Sequence, residues 1–317
     1  MTEYIELHCH SNFSLCDGAS PPEDLVKRAA EMGMPALALT DHDAVYGVVR
    51  FAQAAKQYGV RPLFGAELTL DDNAHLTILV ASDTGWRNLC ALLSIARHNA
   101  PKGQAVLPLS ILPDYTEGLI ALSGCKQGAI PKALLANDWQ KTIDTAQQYR
   151  DWFGRDRFFI ELQQHRLPED DRLVYKLVQL AQRLDLPYVA TNNVHYAKRD
   201  ASPLQDVLVC IGKGVTLDNS RAMRRPNSEY FLKSAREMAT VFAAYPDAVR
   251  NTLHIADLCA FELAYGIQDL PVFPTPNDVN AEAYLTSLCQ SALALRLPNA
   301  PSRVVSGIRT RPRELEI

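Results

Sequence analysis

At least six times before residue 200, a short apolar run alternates with a helical stretch of ten or more residues. That repetition limits the fold more than any other feature, because strands separated by helices form βα units and a mainly parallel sheet. The strand candidates are 5–10, 36–40, 61–68, 75–81, 118–122, 157–163 and 187–191. Helical patterns cover about 45–58, 84–96, 127–136, 138–153 and 169–184. A closed or nearly closed α/β barrel accommodates this many units economically, and an open doubly wound sheet is the alternative.

Local signals set the boundaries. In 5–10, Ile5, Leu7 and Cys9 fall on one face of a strand, and Glu6, His8 and His10 on the other. Ser20-Pro21-Pro22-Glu23 reads as a capping box with serine at the N-cap of the next helix. Gly33 and Gly59 read as helix stops. After residue 200 the alternation gives way to helices, a basic loop at 221–226 and a proline-rich stretch at 270–276. We therefore expect a barrel domain over 1–210, a smaller, mainly helical extension and linker over 211–275, and a separate start of another region over 276–317.

With 47% hydrophobic residues in 317, the chain can bury a large core, and a net charge of −4 argues against a protein that coats polyanions. Arg221, Arg224, Arg225, Lys233 and Arg236 form a basic cluster, read as a solvated loop or a weak nucleic-acid contact. Seven irregularly spaced cysteines, no export pattern at the N-terminus and no apolar run near the ~18 residues of a membrane span lead us to expect reduced thiols, a cytoplasmic setting and no membrane partner.

The chemical signal is positional. His8 and His10 end the first strand candidate, Asp41 and His42 follow the second, and Glu67 ends the third. Cys125 follows a later strand, Glu161 lies in another, and Asn193 and His195 follow the last. Strand ends of a parallel barrel converge on one face, so residues nearly 190 positions apart would share a pocket. All these residue types except asparagine are common transition-metal ligands. His-x-His on a strand sets two imidazoles ~6–7 Å apart at the backbone. Carboxylates such as Glu67 and Asp17 can bridge paired cations, which activate water and clamp phosphate oxygens. Plainer readings stand beside these: Asp41 or Asp43 as a helix N-cap, Cys125 as a small core residue, Glu67 as a surface carboxylate. His75 begins a strand and is left out, and His98, His165 and His254 are read as surface or helix residues.

The segments Leu7-His8-Cys9-His10-Ser11 with Ser14 and Asp17-Gly18-Ala19, Leu39-Thr40-Asp41-His42-Asp43, and Gly65-Ala66-Glu67 resemble three successive motifs of the polymerase and histidinol phosphatase (PHP) superfamily. Residues 85–90, 117–125, 159–163 and 190–196 are similar to the branch found at the N-terminus of bacterial C-family DNA polymerase alpha subunits, replicative or error-prone. The likeness covers about residues 4–295. It implies a distorted seven-stranded barrel and two or three divalent ions, Zn²⁺ or Mn²⁺. His8, His10, Asp17, His42, Glu67, Cys125 and His195 carry over as ligands. Asn193 stands where the family usually has aspartate; its amide oxygen can coordinate but brings no charge. The family's histidine after the 84–96 helix corresponds to Arg97 or His98.

The resemblance also implies what is missing. After residue 257 the only aspartates are Asp269 and Asp278, so the chain lacks polymerase carboxylates and is similar to a fragment about one third of such a polymerase, with Val304 to Ile317 opening the palm. The expected function is a metal-dependent phosphoesterase acting on 3′ nucleotide ends (a 3′–5′ exonuclease) or pyrophosphate, with His8, His10, Asp17, His42 and Glu67 as catalytic residues. Its partners would be DNA and other holoenzyme subunits. The alternatives are a non-catalytic docking module of a polymerase and a free-standing enzyme of histidinol phosphatase type.

Overall fold

Short runs that are apolar at every position need cover on both sides, and β1 (Ala36–Leu39), buried at all four residues, begins the sheet for that reason. The computed structural model describes residues 3–98, 100–101, 103–264 and 272–296. Residues 1–264 form one compact unit and 265–317 a second. In the first, α1 (Pro22–Glu31) precedes β1, and α2 (Val48–Tyr58), β2 (Arg61–Thr69), β3 (His75–Val80) and α3 (Asp83–His98) follow. Next come β4 (Leu119–Leu122), α4 (Ala129–Leu135), α5 (Trp139–Phe153), β5 (Phe158–Gln163), α6 (Asp170–Leu184) and β6 (Tyr188–Thr191). Three helices complete this unit: α7 (Ser202–Lys213), α8 (Ala235–Val241) and α9 (Pro246–Leu258). In the second unit the described residues hold α10 (Ala281–Arg296). The expected opening of a palm at Val304 to Ile317 lies outside the described residues.

The six strands lie in sequence order in one sheet. β1 and β2 are parallel, as are β4, β5 and β6, but β3 runs antiparallel to both neighbours. The reversal is local in origin. Residues 70–74 form a tight turn in which Asn73 takes φ 57° and Leu70 N donates to Ala74 O at 2.8 Å. His75 is therefore at the start of its own strand and opposite Thr69 at the end of β2.

The sheet curls around its own inner face. Ala36, Ala38, Leu63, Leu79, Ile120, Leu122, Phe159 and Val189, drawn from all six strands, pack in one cluster with Ile5 and Leu7. Ile255, Ala256 and Cys259, in and just after α9, join this cluster. The alternate residues, among them Leu37, Leu39, Ile78, Ala121 and Ile160, pack in a second cluster with apolar residues of the surrounding helices.

The strand expected at 5–10 is not one. It makes only two isolated bridges, Glu6 with Leu37 and Cys9 with Val194. The buried Glu6 carboxylate explains why: it takes the amides of Leu7 (3.1 Å) and His8 (2.9 Å), which a regular ladder would need. The segment still bonds in both directions. Ala38 N and Thr40 N donate to Glu6 O and Cys9 O, while Val194 N donates to His8 O and His10 N to Val194 O. A mixed α/β fold with six strands thus stands where a seven-stranded barrel was expected, and this bridged segment links β1 to the chain following β6. The face assignment also breaks: Ile5 and Leu7 join the inner cluster, but Cys9 joins the outer one, across a bend at His8.

The capping box is corrected too. Pro21 is the N-cap of α1 and makes no side-chain cap bond, and Ser20 Oγ instead accepts from Ala197 N at 2.9 Å. Gly33 (φ 69°) and Gly59 (φ 70°) do end α1 and α2 in the left-handed region. All seven cysteines are free. Among the described residues no helix is long and apolar enough to cross a membrane.

Candidate metal centre

One buried carboxylate organises the end of the sheet. Glu67 Oε2 lies 3.1 Å from His42 Nδ1 and 3.5 Å from His10 Nε2. Its Oε1 lies 3.2 Å from His75 Nδ1 and 3.5 Å from His8 Nε2. Four imidazoles from three different segments thus surround a carboxylate that is 1% exposed. Cys125 Sγ, also buried, lies 3.7 Å from His75 Nδ1. Asp17 sits at the far side, where its Oδ2 meets His42 Nε2 (3.1 Å), His195 Nε2 (3.0 Å) and Arg225 Nη2 (3.0 Å).

A second layer sets the tautomers. Ser14 Oγ donates to Asp41 at 2.7 Å, so it accepts from His10 Nδ1 at 3.3 Å, and His10 presents an unprotonated Nε2. His8 Nδ1 donates to Glu161 Oε1 at 2.7 Å, and Glu161 also accepts from Gln163 and Thr191. His195 Nδ1 donates to the Asn193 carbonyl at 2.8 Å, which turns its Nε2 toward Asp17 and Arg225. Asp41 and Asp43 do not cap α2, whose N-cap is Gly47. Asp41 accepts from Ser11 N, Ser11 Oγ and Ser14 Oγ, and Asp43 accepts from Thr69 N and Thr69 Oγ1.

Burial and charge pull these groups in opposite directions. Burial alone would raise the Glu67 carboxyl, but His8, His42 and His75 hold it well below the usual range. Burial works against a proton on His8, yet Glu161 and Glu67 outweigh it and raise its pKa to about 10. Burial and the neighbouring His42 and His195 push His10 well below an ordinary histidine. Burial and Arg225 lower His195 to about 4. Burial followed by Glu67 pushes the Cys125 thiol far up.

These residues fit a divalent cation. Glu67 Oε1, Glu161 Oε2 and Asn193 Oδ1 are buried without a hydrogen-bond partner. His8 Nε2 and His10 Nε2 face each other at 3.1 Å. Three overlapping groups each offer three ligand atoms within 4.8 Å of one another: His8, His10 and Glu67; His42, Glu67 and His75; His10, His42 and His195. Imidazole and carboxylate are common ligands of divalent transition metals.

The structure therefore brings together His8, His10, Asp17, His42, Glu67 and His195 of the expected set. Cys125 joins them through His75. Asn193 is buried, at φ 45°, with its amide oxygen turned to no protein donor. His75 was missed because strand-end logic assumes parallel strands; the only signal for its reversal was the Asp71-Asp72-Asn73 turn. Arg225 was missed because basic loops are usually solvated. Within the expected basic cluster, Arg224 pairs with Asp206 at 2.6 Å and Lys233 is 1% exposed, donating to Asn192 Oδ1 at 2.7 Å. His165, expected at the surface, is buried and stacks on Tyr230 at 3.9 Å. Arg97, rather than His98, turns inward, donating to Asp43 O at 2.8 and 3.0 Å. A cleft of about 430 Å³ opens beside Asp17, lined also by Cys16, Gln205, Lys213, Arg224 and Arg225.

Several known proteins are similar to this chain. The error-prone DNA polymerase of Symbiobacterium thermophilum is 38% identical over 95% of this chain and 29% of its own length. The DNA polymerase III subunit alpha of Treponema pallidum is 35% identical over 92% of this chain and 26% of its own length. The chain thus spans under a third of either relative. Among solved structures, an amidohydrolase from Chromobacterium violaceum aligns with a TM-score of 0.40 at 20% identity, covering 61% of this chain and 87% of that one. The profile of the PHP domain matches residues 6–165, half of the sequence. On that match, and with the motif residues gathered at one end of the sheet, the chain belongs to the PHP domain family.

Proposed function

We propose that this chain is a metal-dependent phosphoesterase domain of a bacterial DNA polymerase III alpha-like protein, acting on 3′ nucleotide ends or pyrophosphate. The observation that carries the reading is Glu67 ringed by His8, His10, His42 and His75 at 3.1 to 3.5 Å. These residues, with Cys125, would hold zinc or manganese, and Asp17, Asn193 and His195 form the far side of the same site. When bound, such ions act as Lewis acids toward a phosphoryl oxygen. The chain's own residues supply the rest. Ser14 and Glu161 fix the rings of His10 and His8. Lys213 and Arg224 give the adjoining cleft the positive lining that an anionic phosphoester needs. In this reading the barrel over 1–210 carries the chemistry, the extension over 211–275 contributes Arg225, and 276–317 leads toward polymerase sequence. DNA and other polymerase subunits are the partners, and the cytoplasm is the setting.

The test is release of nucleotides from 3′ ends, or phosphate from pyrophosphate, by the metal-loaded chain and by His10→Ala. Loss of a direct ligand is expected to exceed the roughly 10–100-fold effect typical of outer-layer partners. Equal rates in the two proteins rule the reading out. A second reading, a docking module without hydrolysis, is favoured by one feature: Arg225 occupies the carboxylate of Asp17, and Asn193 brings no charge to the same side. It predicts no turnover with any divalent metal, alongside partner binding that survives His10→Ala.

A further inference from the structure

The charges at the two ends of this site are distributed differently. At one end lie Glu67, Glu161 and the Cys125 thiol, and among the described residues no lysine or arginine bonds to either carboxylate. At the other end Arg225 Nη2 donates to both oxygens of Asp17, at 3.0 and 3.1 Å. The same nitrogen meets His195 Nε2.

Arg225 is held in place rather than draped over the surface. Its guanidinium carbon sits 4.8 Å over the Tyr230 ring, and its Nε is buried. Gln205 Nε2 donates to Asp17 Oδ1 from the other side, at 3.2 Å. A guanidinium is always charged, so Asp17 has a fixed positive partner here. Of the three groups of side chains able to hold an ion, two include Glu67, and the third, His10, His42 and His195, includes no carboxylate. Two anions touch that third group: Asp17, through His42 and His195, is already paired with Arg225, and Glu67, through His10 and His42, is shared with the other two groups.

From this juxtaposition we infer that Arg225 serves as the built-in cation of the Asp17 end, so that divalent ions load only at the Glu67 end. The inference rests on the metal-centre reading above and refines it. A divalent ion on His10, His42 and His195 would stand beside a fixed guanidinium that already holds both oxygens of Asp17, and would have to share Glu67 with the other two groups, a poor arrangement away from water. At the Glu67 end the same ion meets two carboxylates and no fixed positive side chain.

The experiment is metal stoichiometry on the full chain, by elemental analysis after saturation with Mn²⁺ or Zn²⁺ and removal of free ion. Wild type, Arg225→Met and Arg225→Lys are compared, with circular dichroism to confirm folding. Arg225→Met is expected to bind about one more equivalent per chain than wild type, and Arg225→Lys the wild-type number. The same non-zero number in wild type and Arg225→Met overturns the role of Arg225 and leaves the metal centre standing. No bound metal in any of the three sinks the metal centre and this inference with it. Should Arg225→Met fail to fold, anomalous diffraction from wild-type crystals soaked in Mn²⁺ decides. Peaks beside Glu67 and none beside His195 support the inference, and a peak on His195 with Arg225 displaced overturns it.

Discussion

Asp41 shows how a residue near the site matters without touching an ion. Its buried carboxylate accepts three hydrogen bonds, from Ser11 N, Ser11 Oγ and Ser14 Oγ, at 2.7 to 2.8 Å. Burial raises its pKa, and the bonds from Ser14 and Ser11 oppose that shift. Asp41→Ala leaves these donors buried and unpaired, so a loss of roughly 3 kcal/mol or more is expected in urea unfolding. The ring of His10 loses its Ser14 anchor in the same variant. His165 is a second case. Burial lowers its pKa to about 3, and neutral it stacks on Tyr230 and donates to Asn192 O at 2.9 Å. Between that value and an ordinary histidine pKa of about 6.5 the unfolded chain binds more protons than the folded one. Stability from this group is therefore complete above about pH 6.5 and lost as the pH falls toward 3. Unfolding curves at pH 4 and 7 should show a shallower loss in His165→Phe than in wild type, by at most about 1.4 kcal/mol per pH unit. Equal slopes would rule out His165 as the source.

The first helix and the strand after the turn show the limits of local patterns at the scale of elements. Ser20 stands at the right spacing for a capping box, but its oxygen is used by Ala197, 177 residues away. Proline at the N-cap and first position already suits the start of α1, so the serine is free to tie the chain after β6 to the chain before α1. Ser20→Ala should speed hydrogen exchange at the Ala197 amide and leave the first turn of α1 unchanged. Faster exchange at the first turn of α1 instead would restore the capping role. The residues at or near the ends of β1, β2 and β5 were legible because short apolar runs break into polar residues there. His75 was not legible in the same way. Its place follows from the direction of β3, which depends on whether residues 70–74 turn back at once or cross over.

For the molecule as a whole, the site draws on segments from His8 to Arg225, so an ion bound there adds a further tie between parts distant in the sequence. A ligand bound to the folded state alone, at a hundred times its dissociation constant, stabilises by about 2.7 kcal/mol. Chelation of the metal-loaded chain is expected to lower the melting temperature by roughly 5–10 °C, and added Mn²⁺ or Zn²⁺ to restore it. An unchanged melting temperature after complete removal would count against any cation at Glu67.

Order of elements, helix stops at Gly33 and Gly59, and the places of His42 after β1 and Glu67 late in β2 could be read from residue order, because apolar runs and backbone preferences are local. The reversal of β3, the diversion of the Glu6 carboxylate onto backbone amides, and the return of Arg225 to Asp17 could not. Each depends on which distant groups burial forces into contact, and a buried charge takes whatever partner the packed chain brings within reach.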